Sequence, residues 1–342
     1  MKDPGGSEPA AAFLAPAPDG PLERGSAPSF SVVIAAYQAA TTIAETVASA
    51  LDQTVPPLEV IVCDDGSTDE LEEALEPFRD RIVLLRQSNR GAASARNRCV
   101  QAASGDFVAC LDSDDVWLPD YVRRLGELAA ARPDLDLLST DVHFEEEREV
   151  VGRFYDAISF DVADQRKAIF KTCFVGWPAA RRTRLVGVGG FDESLAIAYD
   201  WDAWARLIVS GSKAGLVPEA LARYRLRPGS LASDIPRSLR ERVVLLDKLE
   251  RFPSLRPDER PALAAARRLA HERALFAEAL EALLLARPDA RRLSTGLLGA
   301  RSLGFRRRLV GLAGAAMPRL TGALLGRRGA RRRFQRSPTA SR

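Results

Sequence analysis

The chain has 342 residues, 46% of them hydrophobic and 28% charged, with a formal net charge of +3. That length can bury a good core in one large domain or two, the composition is that of an ordinary soluble protein, and the near balance of charge excludes a strongly charged partner for the chain as a whole. Cys63, Cys99, Cys110 and Cys173 are widely spaced and sit mostly in apolar runs. With only 2 histidines in the chain, a disulfide frame, a Cys/His metal cluster and a Ser-His-Asp triad are all poorly supported.

Residues 1–28 are rich in Pro, Gly and Ala without an apolar period and read as a disordered tail; the prolines within 10–18 argue against a signal peptide. At Ser29 the pattern changes. Residues 30–37 (FSVVIAAY), 58–63 (LEVIVC), 81–85 and 106–111 read as short strands, and residues 41–53, 69–78 and 92–103 between them as helices. In the first helix Ile43, Val47 and Leu51 share a face, with Thr41 as its cap. Continuous apolar strands alternating with amphipathic helices predict an α/β fold, a parallel sheet covered on both faces. A helix over 120–131 and a strand over 135–144 follow, then a polar loop or hairpin over 145–161. Residues 199–211 (YDWDAWARLIVSG) predict a helix capped near Asp200 with Trp204, Leu207 and Ile208 inward, and 215–227 a strand. Residues 235–286 are two or three Ala/Leu-rich helices broken near Pro253 and Pro257. After Asp289 the chain holds no Asp or Glu while Arg recurs to its last residue. No run there reaches the ~18 to 20 apolar residues of a spanning helix, and a basic amphipathic segment without acids fits the interface of an anionic membrane.

Residues 106–120, DFVACLDSDDVWLPD, place Asp112, Asp114 and Asp115 directly after an apolar run. Carboxylates at the carboxyl end of a buried strand are costly unless something positive is there, and in an open α/β sheet that end is where ligands bind. A Mg²⁺ or Mn²⁺ ion carrying a phosphorylated ligand satisfies both conditions; a solvated acidic turn accounts for Asp-x-Asp equally well. In VCDDGSTD (62–69), Asp65 could accept hydrogen bonds from a base or ribose, although a capping turn alone accounts for Gly66, Ser67 and Thr68. In NRGAASARN (89–97), Arg90 or Arg96 could reach phosphates, and Gly91 permits close backbone approach; the alternative is a helix start with solvated arginines. Asp200 is either a general base facing the cleft or a helix cap. No G-x-G-x-x-G follows the first two strands and no G-x-x-x-x-G-K-[ST] occurs, which disfavours a dinucleotide site and a P-loop ATPase.

Taken together, SVVIAAY, VCDDGSTD, NRGAASARN, LDSDD-x-W-x-P, GGFDE, YDWDAWARL and YRLRPGS, in this order within residues 29–233, resemble a family 2 glycosyltransferase of the GT-A fold. The resemblance implies a Rossmann-like, mostly parallel sheet flanked by helices, with a C-terminal helical extension. It implies inverting transfer of a sugar from a nucleotide-diphosphate donor to a hydroxyl of a glycan or lipid-linked acceptor, in cell-envelope or polysaccharide biosynthesis. A UDP-sugar is the first expectation, with GDP or dTDP behind it. By the same resemblance Ala36, Tyr37 and Asp65 hold the nucleoside, Gly91 and Arg96 lie near the phosphates, and Asp112 with Ser113 touches the ribose or metal. Asp114, with Asp112, coordinates Mg²⁺ or Mn²⁺. Asp200 is the base, and Trp201, Asp202 and Arg227 lie on the acceptor side. Residues 224–233 are the segment expected to close over the donor and exclude water.

Two positions depart from the pattern. Arg227 stands where many relatives have His; arginine stays protonated and cannot ligate a metal, but it can pair with a diphosphate. Tyr199 stands where relatives commonly carry an acid. The domain reading is a tail over 1–28, a glycosyltransferase domain over 29–233 with a donor half (29–120) and an acceptor half (121–233), a helical extension over 234–290, and an Arg-rich tail over 291–342. Expected partners are the donor, the acceptor and an anionic membrane surface through 291–342, not nucleic acid; the expected location is cytoplasmic, at the inner face of the cell membrane. Two alternatives differ in class. A sugar nucleotidyltransferase would usually carry a Gly- and Arg-rich loop after the first strand, which IAAYQAAT lacks; a non-catalytic nucleotide-sugar-binding module would not need Asp65, Asp112, Asp114 and Asp200 all intact.

Overall fold

A computed structural model describes residues 28–173, 178–227 and 234–321. The expected N-terminal disorder, the end of the Arg-rich tail and most of the expected closing segment, at 228–233, lie outside the described residues.

The central strand, β1 (Phe30–Ala36), is apolar on both faces because both are covered. After α1 (Ile43–Leu51), β2 (Glu59–Asp64) pairs parallel to one side of β1. Then α2 (Leu71–Leu75) leads to β3 (Val83–Arg86), which pairs parallel with β2. After α3 (Ala92–Ala102), β4 (Phe107–Asp112) pairs parallel to the other side of β1. Side chains alternate between two cores. Val33, Ile61, Val108 and Cys110 face one, while Val32, Ile34, Val60, Val62, Ala109 and Leu111 face the other.

The second half of the chain extends the sheet with mixed pairing. The elements are β5 (Val116–Trp117), α4 (Tyr121–Ala131), β6 (Leu137–Glu146), β7 (Glu149–Arg153), the one-turn helices α5 (Phe154–Ala157) and α6 (Gln165–Ala168), β8 (Ala179–Arg181), α7 (Arg182–Gly187), α8 (Tyr199–Val209) and β9 (Ala214–Arg225). Sheet order is β3-β2-β1-β4-β8-β6-β9-β5, with β7 hairpinned onto β6. β8 runs antiparallel to β4 and β6, whereas β6 and β9 are parallel. Their register shifts after Thr140, where β9 carries Pro218, a residue that cannot donate to a ladder. The helical extension is α9 (Ile235–Glu250) and α10 (Arg260–Leu284), separated near Pro253 and Pro257 as expected, then α11 (Ala290–Gly296) and α12 (Phe305–Ala316). Cys63, Cys99 and Cys110 are buried free thiols, and Cys173 is free and partly buried.

Three local expectations are corrected. Thr41 does not cap α1: the helix begins after Thr42, and no side chain caps it, the Thr42 hydroxyl donating instead to Ala39 O and Ser113 O at 3.3 and 3.0 Å. Helix α2 is short and runs into a 3₁₀ turn at 76–78, because Pro77 has no N–H to continue the ladder. Asp200 does not cap α8; the helix starts at Tyr199, and Asp200 Oδ1 accepts from the next residue's N–H, Trp201, at 2.6 Å. The three amides ahead of α8 are satisfied from α9, where buried Glu241 accepts Ala196, Ile197 and Ala198 N–H at 2.7–3.1 Å.

Candidate active site

Register brings the acidic loops to one edge. Ala36 pairs with Asp64 and Ala35 with Asp112, so the chain leaves β1, β2 and β4 at one level. The loops after β1 and β2 are stitched by Gln38, which adopts φ 50°. Its N–H donates to Ser67 Oγ at 3.0 Å, and its side-chain oxygen accepts from Thr68 and Asp69 N–H at 3.1 Å. Tyr37 is left 50% exposed beside them, while Ala36 is buried and accepts Asp65 N–H on its carbonyl at 2.8 Å.

Asp65 is buried, and its carboxylate organises the loop before α3. Oδ1 accepts from Gln87 Nε2 at 2.7 Å and Arg90 N–H at 2.9 Å, and Oδ2 from Gly91 N–H at 2.7 Å. The turn geometry depends on glycine. Gly66 has φ 77°, and a Cβ there would stand 2.8 Å from Asn89 N; Gly91 has φ 92° at the start of α3.

Helix α3 turns Arg96 inward, 4% exposed, where it donates Nη2 to Asp112 Oδ1. Its Cζ lies 5.0 Å from the Tyr199 ring centroid and 5.9 Å from that of Phe191. Burial alone would loosen its proton, but Tyr199, Asp112 and Asp200 reverse that, so the guanidinium is held charged. Asp200 lies partly buried on the first turn of α8. Burial pushes its carboxyl above the usual range; Arg96 pulls against this and the Asp112 charge adds to it. Two carboxylates from opposite halves of the chain thus bear on one guanidinium. Tyr199, in the position of the expected acid, stacks near Arg96 in place of a third carboxylate.

The acidic loop is anchored from below by α1, where Thr46 Oγ1 donates to Asp115 O at 2.8 Å. Asp115 itself is interior: Oδ1 accepts Arg225 N–H at 2.8 Å, and Oδ2 is buried without a hydrogen-bond partner. Burial, then Asp112 and Asp114, hold its carboxyl well above the usual range. Asp114 is also raised, by burial and then by Asp112, with Arg227 opposing; Arg227 Nε lies 3.8 Å from Asp114 Oδ2. Asp112 and Asp114 are the partly exposed pair, and their mutual repulsion is what a divalent cation would relieve. Among the described residues no three His, Cys, Asp or Glu converge on a metal position. Such a set suits Mg²⁺ or Mn²⁺ held by one or two carboxylates together with substrate phosphates, not a cage built by protein alone.

Asp202 is a correction. It does not reach an acceptor side: it is fully buried, takes Arg206 Nε at 2.7 Å and Lys248 Nζ at 2.7 Å, and sits in a network that includes Asp192 and Gly190 O. A buried carboxylate with two cationic partners is a structural lock. The Trp201 indole N–H donates to Ile169 O at 2.8 Å, and Arg242 covers its ring at 4.5 Å, so its contacts also run toward α9. The clamp made by Glu241, Arg242 and Lys248 has no signature in the sequence. These residues belong to a charged helix that reads as solvated until α8 is seen against it.

Residues 31–186 match the family model of glycosyl transferase family 2. The matched stretch identifies a glycosyl transferase family 2 domain within the chain. The chain is a glycosyltransferase. It is 28% identical over 207 residues, 60% of its own length and 80% of the relative's, to the UDP-Glc:alpha-D-GlcNAc-diphosphoundecaprenol beta-1,3-glucosyltransferase WfaP of Escherichia coli. S. aureus TarS 1–349, in complex with UDP-GlcNAc, superposes at a TM-score of 0.60 with 18% identity, over 88% of this chain and 92% of that one. The mannosyltransferase PcManGT from Pyrobaculum calidifontis, in complex with GDP-Man and Mn²⁺, gives 0.56 with 22% identity over 90% and 89%. At those identities the likeness establishes the fold, which is GT-A.

Proposed function

We propose that this glycosyltransferase moves a sugar, with inversion, from a UDP-sugar to a hydroxyl of a lipid-linked or glycan acceptor, at a membrane surface where envelope or capsular polysaccharide is built. The observation that carries the reading is Arg96, a buried guanidinium with donor-side Asp112 against it and Asp200 close enough to feel its charge. That arrangement fits a reaction in which a negative leaving group departs on one side and a proton is removed on the other. The ligands named for the similar proteins support the same classes: a UDP-sugar and a diphosphoundecaprenol acceptor for WfaP, UDP-GlcNAc for TarS, and GDP-Man with Mn²⁺ for PcManGT.

In this proposal exposed Tyr37 offers a face to the base. Asp65 has one of its roughly four lone-pair sites left for a nucleoside N–H and keeps the Gly91 loop in place. Asp112 and Asp114, with Ser113 between them, would hold the divalent ion, which when bound neutralises charge on the departing diphosphate. Arg227 supplies positive charge beside Asp114 and can pair with the diphosphate. Asp200 takes the acceptor hydroxyl proton as the oxygen attacks the anomeric carbon; the new C–O bond forms, the bond to the diphosphate breaks, and the nucleoside diphosphate leaves. No side chain becomes covalently attached, so one displacement inverts the centre.

The test is thermal stabilisation against UDP-, GDP- and dTDP-sugars, each with Mn²⁺ or EDTA, followed by transfer assays of Asp200→Asn. A ligand that binds only the native state raises the melting temperature. A metal-dependent shift with one nucleotide class is expected, kept in Asp200→Asn while kcat falls by about 10² to 10⁴. Retained transfer by Asp200→Asn would remove it from the role of base.

A further inference from the structure

Helix α12 is amphipathic in reverse. It packs on its neighbours through glycine: a Cβ added at Gly311 would lie 2.7 Å from Leu297 Cβ, and one at Gly314 would lie 2.5 Å from Ser294 Oγ and 3.0 Å from Leu283 Cδ1. Arg291 of α11 fixes its far end, donating to Ala315 O at 2.9 Å and Ala316 O at 3.2 Å. With Gly311, Gly314 and the partly buried Val310 inward, the leucines point out. Leu309 and Leu312 in the helix, and Met317 and Leu320 just beyond its end, are 45%, 56%, 57% and 52% exposed. A surface helix of a globular protein ordinarily does the opposite. Exposed Arg308 and Arg319 flank these side chains, while Arg307 turns over the Phe276 ring on the packed side at 5.5 Å, and no acid follows Asp289 in the chain to offset them.

We propose that this face of α12 and the turn that follows it lie on an anionic lipid bilayer, with Leu309, Leu312, Met317 and Leu320 entering the acyl boundary and Arg308 and Arg319 meeting headgroup phosphates. The inference rests on the proposed membrane-surface activity and gives it a surface. Among the described residues no helix is long and apolar enough to cross a membrane, and what α12 offers a bilayer is one apolar face edged by arginine, the pattern of a helix lying in the interface plane. A second copy of the chain is the poorer occupant, because apposing two such faces brings arginine against arginine with no carboxylate between them. A nucleic acid would leave the leucines without a role.

The experiment is cosedimentation of the full-length protein with phosphatidylcholine vesicles and with vesicles half phosphatidylglycerol, alongside thermal shift with its nucleotide sugar. Expected are binding to the anionic vesicles alone, a loss of at least tenfold in affinity for Leu309→Ser/Leu312→Ser and separately for Met317→Ser/Leu320→Ser, and a loss of roughly fivefold for Arg319→Gln, since one basic residue near such a surface contributes ~1 kcal/mol. These side chains are exposed, so the nucleotide-sugar shift stays as in the parent. Equal binding to neutral vesicles, no binding, or serine variants that bind as the parent does would overturn the docking face while leaving the transferase reading untouched. A vesicle-free dimer that the same serine variants dissolve would assign the face to a second copy instead. Loss of the nucleotide-sugar response in the parent protein would count against the transferase reading alone.

Discussion

Asp200 serves as a base only when ionised, and its surroundings set when that happens. Burial raises its carboxyl, Arg96 opposes, and Asp112 adds to the rise. Tyr199, Tyr224, Cys110 and Cys173 also feel its charge, and their own protons are held more tightly for it. Because the working form is the deprotonated one, kcat/KM should rise with pH along an acid limb whose midpoint lies above the ordinary aspartate value of about 3.9. A pH–rate profile checks this, and Asp200→Asn should flatten that limb. The stability sign follows from the same shift. A carboxyl raised in the folded state favours folding below its unfolded pKa, and that contribution is lost as pH rises through the folded value. At pH 8 Asp200→Asn should therefore melt at the parent temperature or above it, an advantage that disappears near pH 4. A lower melting temperature at pH 8 would mean that the ionised carboxylate is a structural partner of Arg96. Asp202 two residues later is the contrast: the same side chain, fully buried between Arg206 and Lys248, is bound to the fold and not to the reaction.

Helix α8 owes its position to α9. Glu241 accepts three amides just ahead of α8, and those hydrogen bonds, working against burial, hold its carboxyl below the usual range. Its charge is shared between those amides and Arg237 Nε at 3.0 Å, and what it fixes is the turn that carries Asp200. Glu241→Gln keeps the shape and removes the charge. The expected outcome is a fall in kcat as the turn carrying Asp200 loosens, with the donor's thermal shift unchanged and stability lower by about 1–2 kcal/mol. A merely structural role would lower stability and leave kcat where it was. How far this was legible differs by element. The strands β1, β2 and β4 stood out in the sequence as continuous apolar runs, and the acidic loops after β2 and β4 stood out because an apolar run that ends in Asp fits a buried strand meeting a polar sheet edge. Arg96 stood out as a residue but not as the centre of the site, since nothing in NRGAASARN separates an inward arginine from a solvated one. The misassigned cap of α8 and the acceptor role given to Asp202 share one cause. Their true partners, Glu241 and Lys248, lie beyond the strand β9 in a helix whose charges have no motif.

At the scale of the molecule, the boundary expected at 233/234 is not where cohesion ends. Leu245, Leu246 and Leu249 of α9 and Leu263, Ala266 and Ala270 of α10 belong to the same buried cluster as Val33, Ile61 and Trp204. A separate cluster begins farther along α10, with Ala279, Ala282 and Leu283 packed against Leu293, Leu297 and Leu303. Helix α10 is therefore shared between the transferase core and the small C-terminal bundle that carries α12. Two leucine truncations should report this division. Leu246 is 0% exposed in the shared core, so Leu246→Ala should cost about 2–5 kcal/mol and speed amide hydrogen exchange throughout, β1 to β4 included. Leu293 is buried in the small cluster, and Leu293→Ala should instead speed exchange in α11 and α12 while the sheet keeps its protection, because opening that bundle leaves the sheet's cores packed. Equal loss of protection in the sheet from both substitutions would mean that α10 transmits the whole effect and that the chain from β1 to α12 opens as one unit. Protection lost only in the bundle for Leu293→Ala would make the bundle a semi-independent carrier of the α12 face on a core that runs from β1 through α9 and the first half of α10.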